Sequence, residues 1–204
     1  MPWQYSCPPE LTSPTVRMAH FQHTSDLRTE RLAQLGWQPL SDSHDRSLDS
    51  HLRKRFPLLH GSRPPEPYVV WDVSLIYEDR KSYDLLEVDL NVNALRAIRE
   101  CTSADEEILA IDYQHPWYRF QPHTLPLTGD PYDWAVPILP DGLIPLFLPY
   151  DFRFGIVGIP HHTICIFGDA LLQAFSRNRP VLFDKQITWP VDPWPEGEKG
   201  NAES

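Results

Sequence analysis

Asp112, His115 and His123 are the residues of this 204-residue chain whose types and spacing point to chemistry. A carboxylate with two imidazoles suits a zinc or iron ion, or proton transfer near neutral pH. His161 or His162, from a neighbouring strand, would complete three or four ligands. These two are consecutive, so on a continuous strand they face opposite ways and cannot both serve one ion unless Pro160 breaks the strand. No tight ligand repeat of a dedicated metal site is present. The competing reading has Asp112 accepting backbone or tyrosine hydrogen bonds at a strand end while the histidines ring a loop. The three residues converge only if 117–121 folds back beside 107–113, and we expect them to come near each other. We expect no bound metal and no cofactor, with His115, His123 and His161 as the weak metal candidates.

Cys165 and His161 resemble a thiol with its base until distance is considered. Four residues along a strand span about 13 Å, beyond hydrogen-bond reach. Flanked by Ile164 and Ile166, Cys165 reads as a small buried hydrophobe. The chain has no Gly-x-Ser-x-Gly elbow and no phosphate or dinucleotide Gly-rich loop, so serine hydrolase, P-loop and Rossmann readings have no support. Cys7, Cys101 and Cys165 are widely spaced and odd in number, which argues for free thiols in a reducing compartment. The N-terminus lacks a signal-peptide pattern, and the longest apolar stretch, Leu143 to Tyr150, is too short to span a bilayer. The expectation is a soluble cytoplasmic protein.

The net charge of -10 argues against nucleic acid or an anionic membrane as partner and permits a basic protein. From Asp72 to Asp112 there are 11 carboxylates against four basic residues, a local balance of −7. Asp89, Glu100, Asp105, Glu106 and Glu107 are the candidate interaction residues on such an acidic face. A solvated helix and loop account for the same charges.

These residues need elements to position them. The 22 prolines crowd the ends and loops, so residues 1–22 read as an extended arm, 23–189 as one domain, and 190–204 as a Pro-rich strap with an acidic tail. Ser25 can cap a helix running to Gly36, and a second short helix fits 47–56. From Tyr68 to Tyr77 the alternation of Val69, Trp71, Val73 and Leu75 marks a half-buried strand. Asp84 followed by Glu87 is a capping-box pattern opening a helix over about 84–101, with Leu85, Val88, Val92, Leu95 and Ile98 on one stripe and Asp89, Asn93, Arg96 and Glu100 on the wet face. Strand candidates follow at 107–113, 117–121, 134–139, 143–149, 151–158 and 162–167, joined by links short enough to force antiparallel pairing. Pro145 marks 143–149 as an edge or distorted strand. Asp169 can cap a final helix over about 169–177. The fold class expected is α+β: a mostly antiparallel sheet packed by one long central helix and a C-terminal helix.

The order Trp71-Asp72-Val73-Ser74, Ala110-Ile111-Asp112-Tyr113-Gln114-His115-Pro116, Pro122-His123, Pro140-Asp141-Gly142, Phe152-Arg153-Phe154-Gly155 and Thr163-Ile164-Cys165-Ile166-Phe167-Gly168 resembles the bacterial domain of unknown function family DUF2716 over roughly residues 35–176. The family's Pro-Asp-Gly-Asp turn is here Pro140-Asp141-Gly142-Leu143, and its Gly-His-Pro-Trp-Glu is here Gly158-Ile159-Pro160-His161-His162. These departures, at 143–145 and 159–162, imply that any family site at those turns is altered in this chain. The resemblance implies a fold and no activity. Small size, acidity and missing catalytic motifs lead us to expect a non-enzymatic acidic interaction protein, immunity-like or accessory. The alternative is a small hydrolase or metal-assisted enzyme using Asp112, His115 and His123.

Overall fold

The computed structural model describes residues 27–41, 48–52, 54, 64–78, 82–112, 116–140, 144–159 and 162–189. The arm at 1–22, the tail at 190–204, the Ser25 cap, Cys7, His115, His161 and the Asp141-Gly142 turn lie outside them.

Eight strands form one sheet: β1 (Gln38–Pro39), β2 (Tyr68–Asp72), β3 (Ile108–Ile111), β4 (Tyr118–Phe120), β5 (Leu146–Pro149), β6 (Gly155–Ile159), β7 (Thr163–Phe167) and β8 (Lys185–Ile187). Their order is β1-β4-β3-β5-β6-β7-β2-β8, and every pairing is antiparallel. The helices are α1 (27–34), α2 (48–52), α3 (Leu75–Glu78), α4 (Tyr83–Glu100) and α5 (Asp169–Arg177). This is a single α+β domain.

Strand periodicity splits the core in two. Ile108, Ala110, Ile156, Ile164 and Ile166 face α4 and α5 in one cluster, while Leu109, Ile111, Val157 and Cys165 join Leu52 and Trp189 on the opposite face. Strands β3, β5, β6 and β7 are therefore buried throughout, which explains why they read as continuous apolar runs. On α4 the buried positions are Leu90, Asn91, Ala94, Leu95, Ala97 and Ile98. Leu85, assigned to the apolar stripe, is 72% exposed. Asn91 is buried because its Nδ2 donates to the Gly129 carbonyl at 3.1 Å, a partner 38 residues away.

Several expectations need correction. The capping box fails because the N-cap lies two residues earlier, at Ser82, and Asp84 lies in the first turn, where a negative charge favours the helix dipole. Asp169 likewise is the first residue of α5 rather than its cap, which is Gly168. The strand from Tyr68 stops at Asp72 because the Asp72 carboxylate accepts the Ser74 amide at 3.0 Å and turns the chain into α3. Residues 134–139 form no strand. Trp134, Val136, Ile138 and Leu139 are all buried, yet Pro137 and Pro140 lack the amide donors a ladder requires. Pro145 marks no edge, since β5 lies between β3 and β6. It precedes the strand, and its ring packs where a Gly158 Cβ would stand, at 2.6 Å.

Candidate functional site

The hairpin that was to unite Asp112 with His123 separates them. β4 does fold back on β3, with Ile108 opposite Phe120 and Ala110 opposite Tyr118. Asp112 follows the C-terminal end of β3, whereas His123 lies past the far end of β4, beside the start of β3. About 13 Å of strand lies between the two positions. Asp112 is 1% exposed, and its carbonyl accepts the Trp117 indole N–H at 3.1 Å. His123 is exposed on a 3-10 turn, Pro122–Thr124. Its Nε2 donates to the Thr102 carbonyl at 3.1 Å and sits 3.2 Å from the Thr102 hydroxyl, which ties that turn to the end of α4.

His162 shares the Asp112 end of the sheet, but β5 and β6 intervene between β3 and β7, a spacing of about 14 Å. Its ring lies against Tyr77, centroids 3.9 Å apart. Among the described residues, no three His, Cys, Asp or Glu side chains stand close enough together to hold a metal ion. Cys165 is buried, and burial pushes its thiol up. Burial, with Glu100 adding repulsion, pushes Cys101 up to about 11. Neither thiol is poised as a nucleophile.

The five candidate interaction residues divide. The two Asp89 carboxylate oxygens accept the Asn93 amide at 2.8 Å and the Val181 backbone N–H at 2.7 Å. Glu100 accepts Asn178 at 2.6 Å and Arg177 Nε at 2.9 Å, and these two donors lower its carboxyl. Both acids are therefore occupied in tying α4 to α5 and the segment after it.

Asp105, Glu106 and Glu107 are placed differently. The loop after α4 carries them to the end of the sheet where the β5–β6 turn arrives, and together these loops line an open groove of about 430 Å³. Asp105, Glu106, Glu107 and Asp151 supply four carboxylates there, and Arg153 one guanidinium. Arg153 Nη1 lies 2.7 Å from Glu106 and 3.0 Å from Asp151, and Nη2 donates to the Cys101 carbonyl at 2.9 Å. Its aim depends on the turn: Phe152 has φ of 58°, a left-handed conformation unfavourable for an aromatic residue, and Asp151 accepts the Arg153 amide at 3.2 Å. Glu107 reaches Arg119 at 3.2 Å. Tyr150, 49% exposed, stands at the rim. Sequence reasoning found the Asp105-Glu106-Glu107 run but missed Tyr150, Asp151 and Arg153 as its partners, because their proximity comes from β3 pairing with β5 and no local pattern encodes that.

No helix among the described residues is long and apolar enough to cross a membrane. The family model described as "Protein of unknown function (DUF2716)" matches residues 39–172. The chain is 32% identical over 158 residues to "Uncharacterized protein YxiI" of Bacillus subtilis (strain 168), an alignment covering 73% of this chain and 98% of that relative. No solved structure matches the chain.

Proposed function

The chain belongs to the DUF2716 family, and from that premise we propose that it acts by binding, as a non-enzymatic acidic interaction protein of the immunity or accessory kind. The observation that carries this reading is the groove of Asp105, Glu106, Glu107 and Asp151, whose four carboxylates meet two guanidiniums, Arg153 within the groove and Arg119 on Glu107. With Arg119 counted, the groove keeps a surplus of two negative charges. Such a surplus draws a basic protein surface through long-range attraction, and the exposed Tyr150 ring beside it offers the kind of aromatic anchor enriched at interfaces. The enzyme alternative gains nothing from the described residues, since Asp112 and His123 lie at opposite ends of β3.

Titration with a nona-arginine peptide at low and high salt tests the reading. Saturable binding that weakens as salt rises, and that weakens further in Asp105→Asn with Glu106→Gln, is expected. Binding that ignores both salt and these substitutions would move the interface elsewhere.

A further inference from the structure

Between α5, β2 and β8 lies a second opening, a slot of about 270 Å³ that shares no lining residue with the acidic groove. Its floor is aromatic. Trp71 and Phe183 stack with centroids 5.1 Å apart and planes 6° apart, and Phe175 packs on Phe183 at 5.4 Å. Half-buried Val69 and Leu172 form its walls. On its solvent side stands Arg179, exposed, with the guanidinium 5.1 Å above the Trp71 ring. Arg179 Nε donates to the Phe183 carbonyl at 2.7 Å. No ion pair among the described residues involves Arg179, although the chain carries 28 carboxylates against 18 basic groups. A guanidinium with no ion-pair partner among the described residues, at the mouth of an apolar slot, is the arrangement that accepts a carboxylate with an apolar body.

We propose that this slot is a binding site for a small apolar carboxylic acid, its apolar part against Val69, Leu172 and the exposed margin of Trp71, over the buried Phe183, and its carboxylate on the Nη groups of Arg179. The volume, about 270 Å³, lies just below the usual range of ligand pockets, about 300–1,000 Å³, which limits the ligand to a medium-chain acid. The site is formed in advance. Arg179 sits on the segment after α5, which is held by the Asp89 carboxylate on the Val181 amide and by Glu100 on Asn178. The two acids that the groove does not use thus fix the cation of the slot, which lowers the ordering cost of binding.

Calorimetric titration of the full chain with decanoate, below its micelle concentration, tests the site, with decan-1-ol as the uncharged comparator. One saturable decanoate site is expected, weakened about tenfold or more in Arg179→Gln, with decan-1-ol binding wild-type protein no better than decanoate binds that variant. Leu172→Trp, which fills the slot, should abolish binding while Arg179→Gln, at an exposed position, retains the native circular dichroism. Absence of saturable decanoate binding to wild-type protein would overturn the proposal. So would decan-1-ol binding as tightly as decanoate, or decanoate binding Arg179→Gln with undiminished affinity.

Discussion

Arg31 with Asp133, and Arg153 with Glu106 and Asp151, are the same chemistry in two settings. Asp133 is 3% exposed at its side chain and Asp151 is 59% exposed. Asp133 accepts Arg31 Nε at 2.7 Å and the Thr128 hydroxyl at 2.8 Å, while its carbonyl accepts the Trp37 indole at 2.8 Å. Arg31 and Trp37 come from α1 and the turn after it, about a hundred positions away, and Thr128 from five residues upstream, so Asp133 is spent on joining α1 to the loop at 131–139. The Arg153 array faces water, where pairing contributes little to stability and the charges remain accessible to a partner. Burial, rather than the identity of the pair, decides how much such a pair contributes to stability.

The largest effect that would break this contrast is at the buried member. Asp133→Asn keeps the shape but leaves Thr128 without a charged acceptor and Arg31 with only Asp130, at 3.6 Å, and we expect a loss of about 2–3 kcal/mol in urea unfolding. A loss below about 0.5 kcal/mol would show that the buried carboxylate is no more structural than the exposed ones. Peptide binding at the groove should be unchanged in this variant.

Next in size is Gly168→Ala, at the junction of β7 and α5. Gly168 has φ of +93°, and a Cβ there would meet the Arg153 carbonyl oxygen at 2.5 Å. Left-handed strain combined with that contact is expected to cost about 2 kcal/mol or more, read by thermal unfolding. Because the atom met belongs to Arg153, the same substitution should displace the guanidinium and weaken nona-arginine discrimination by salt. A destabilised protein with an unaltered groove response would separate the turn from the array.

The buried site was not legible in the sequence, and the groove was legible only by half. Asp133 and Arg31 are 102 positions apart, and nothing local distinguishes Asp133 from a solvent-facing turn residue. The same holds for Asn91, which sits among apolar positions of α4 but looks polar in any helical projection. What periodicity did mark was the element set: β3, β6, β7, α4 and α5 fall within a few residues of their expected bounds, because a two-residue alternation or a 3.6-residue stripe is a local property. The edge strands escaped. Gln38–Pro39 and Lys185–Ile187 are too short and polar to alternate visibly, and each exists because a longer neighbour offers an unpaired edge. Likewise the Asp112 and His123 cluster required knowing which end of a hairpin each residue occupies, and antiparallel pairing sends residues that follow the two strands in opposite directions.

Asp72 lies between the two settings, its side chain 18% exposed. The Lys185 ammonium at 2.7 Å and the Ser74 amide lower its carboxyl to about 2. A depressed folded value stabilises the protein above the unfolded carboxyl value, about 3.9, and that contribution is lost as the pH falls from about 4 to about 2. Lys185 is 70% exposed, so screening keeps the effect under about 1 kcal/mol. Asp72→Asn should flatten the stability profile over that acid window and leave it unchanged at neutral pH relative to its own plateau. A profile as steep in the variant as in the wild type would assign the acid sensitivity to other carboxylates.

The smallest expected effect on stability belongs to the groove, and it is the one that bears on function. Glu106→Gln with Asp151→Asn removes both charged partners of Arg153, which is still held by the Cys101 carbonyl and stacks on Phe154 at 4.9 Å. Exposed pairs of this kind are worth little, so unfolding should shift by no more than about 0.5 kcal/mol. The groove balance, however, moves from four carboxylates and two guanidiniums to two and two, which removes the surplus that attracts a cation. Association with nona-arginine should therefore slow severalfold at low salt, and the difference should vanish at high salt, where attraction beyond about 3 Å is screened. If stability fell as far as in Asp133→Asn, the exposed array would be holding the fold after all. If both stability and association stayed constant, burial would still separate the two pairings, but the groove would have no claim on a basic partner.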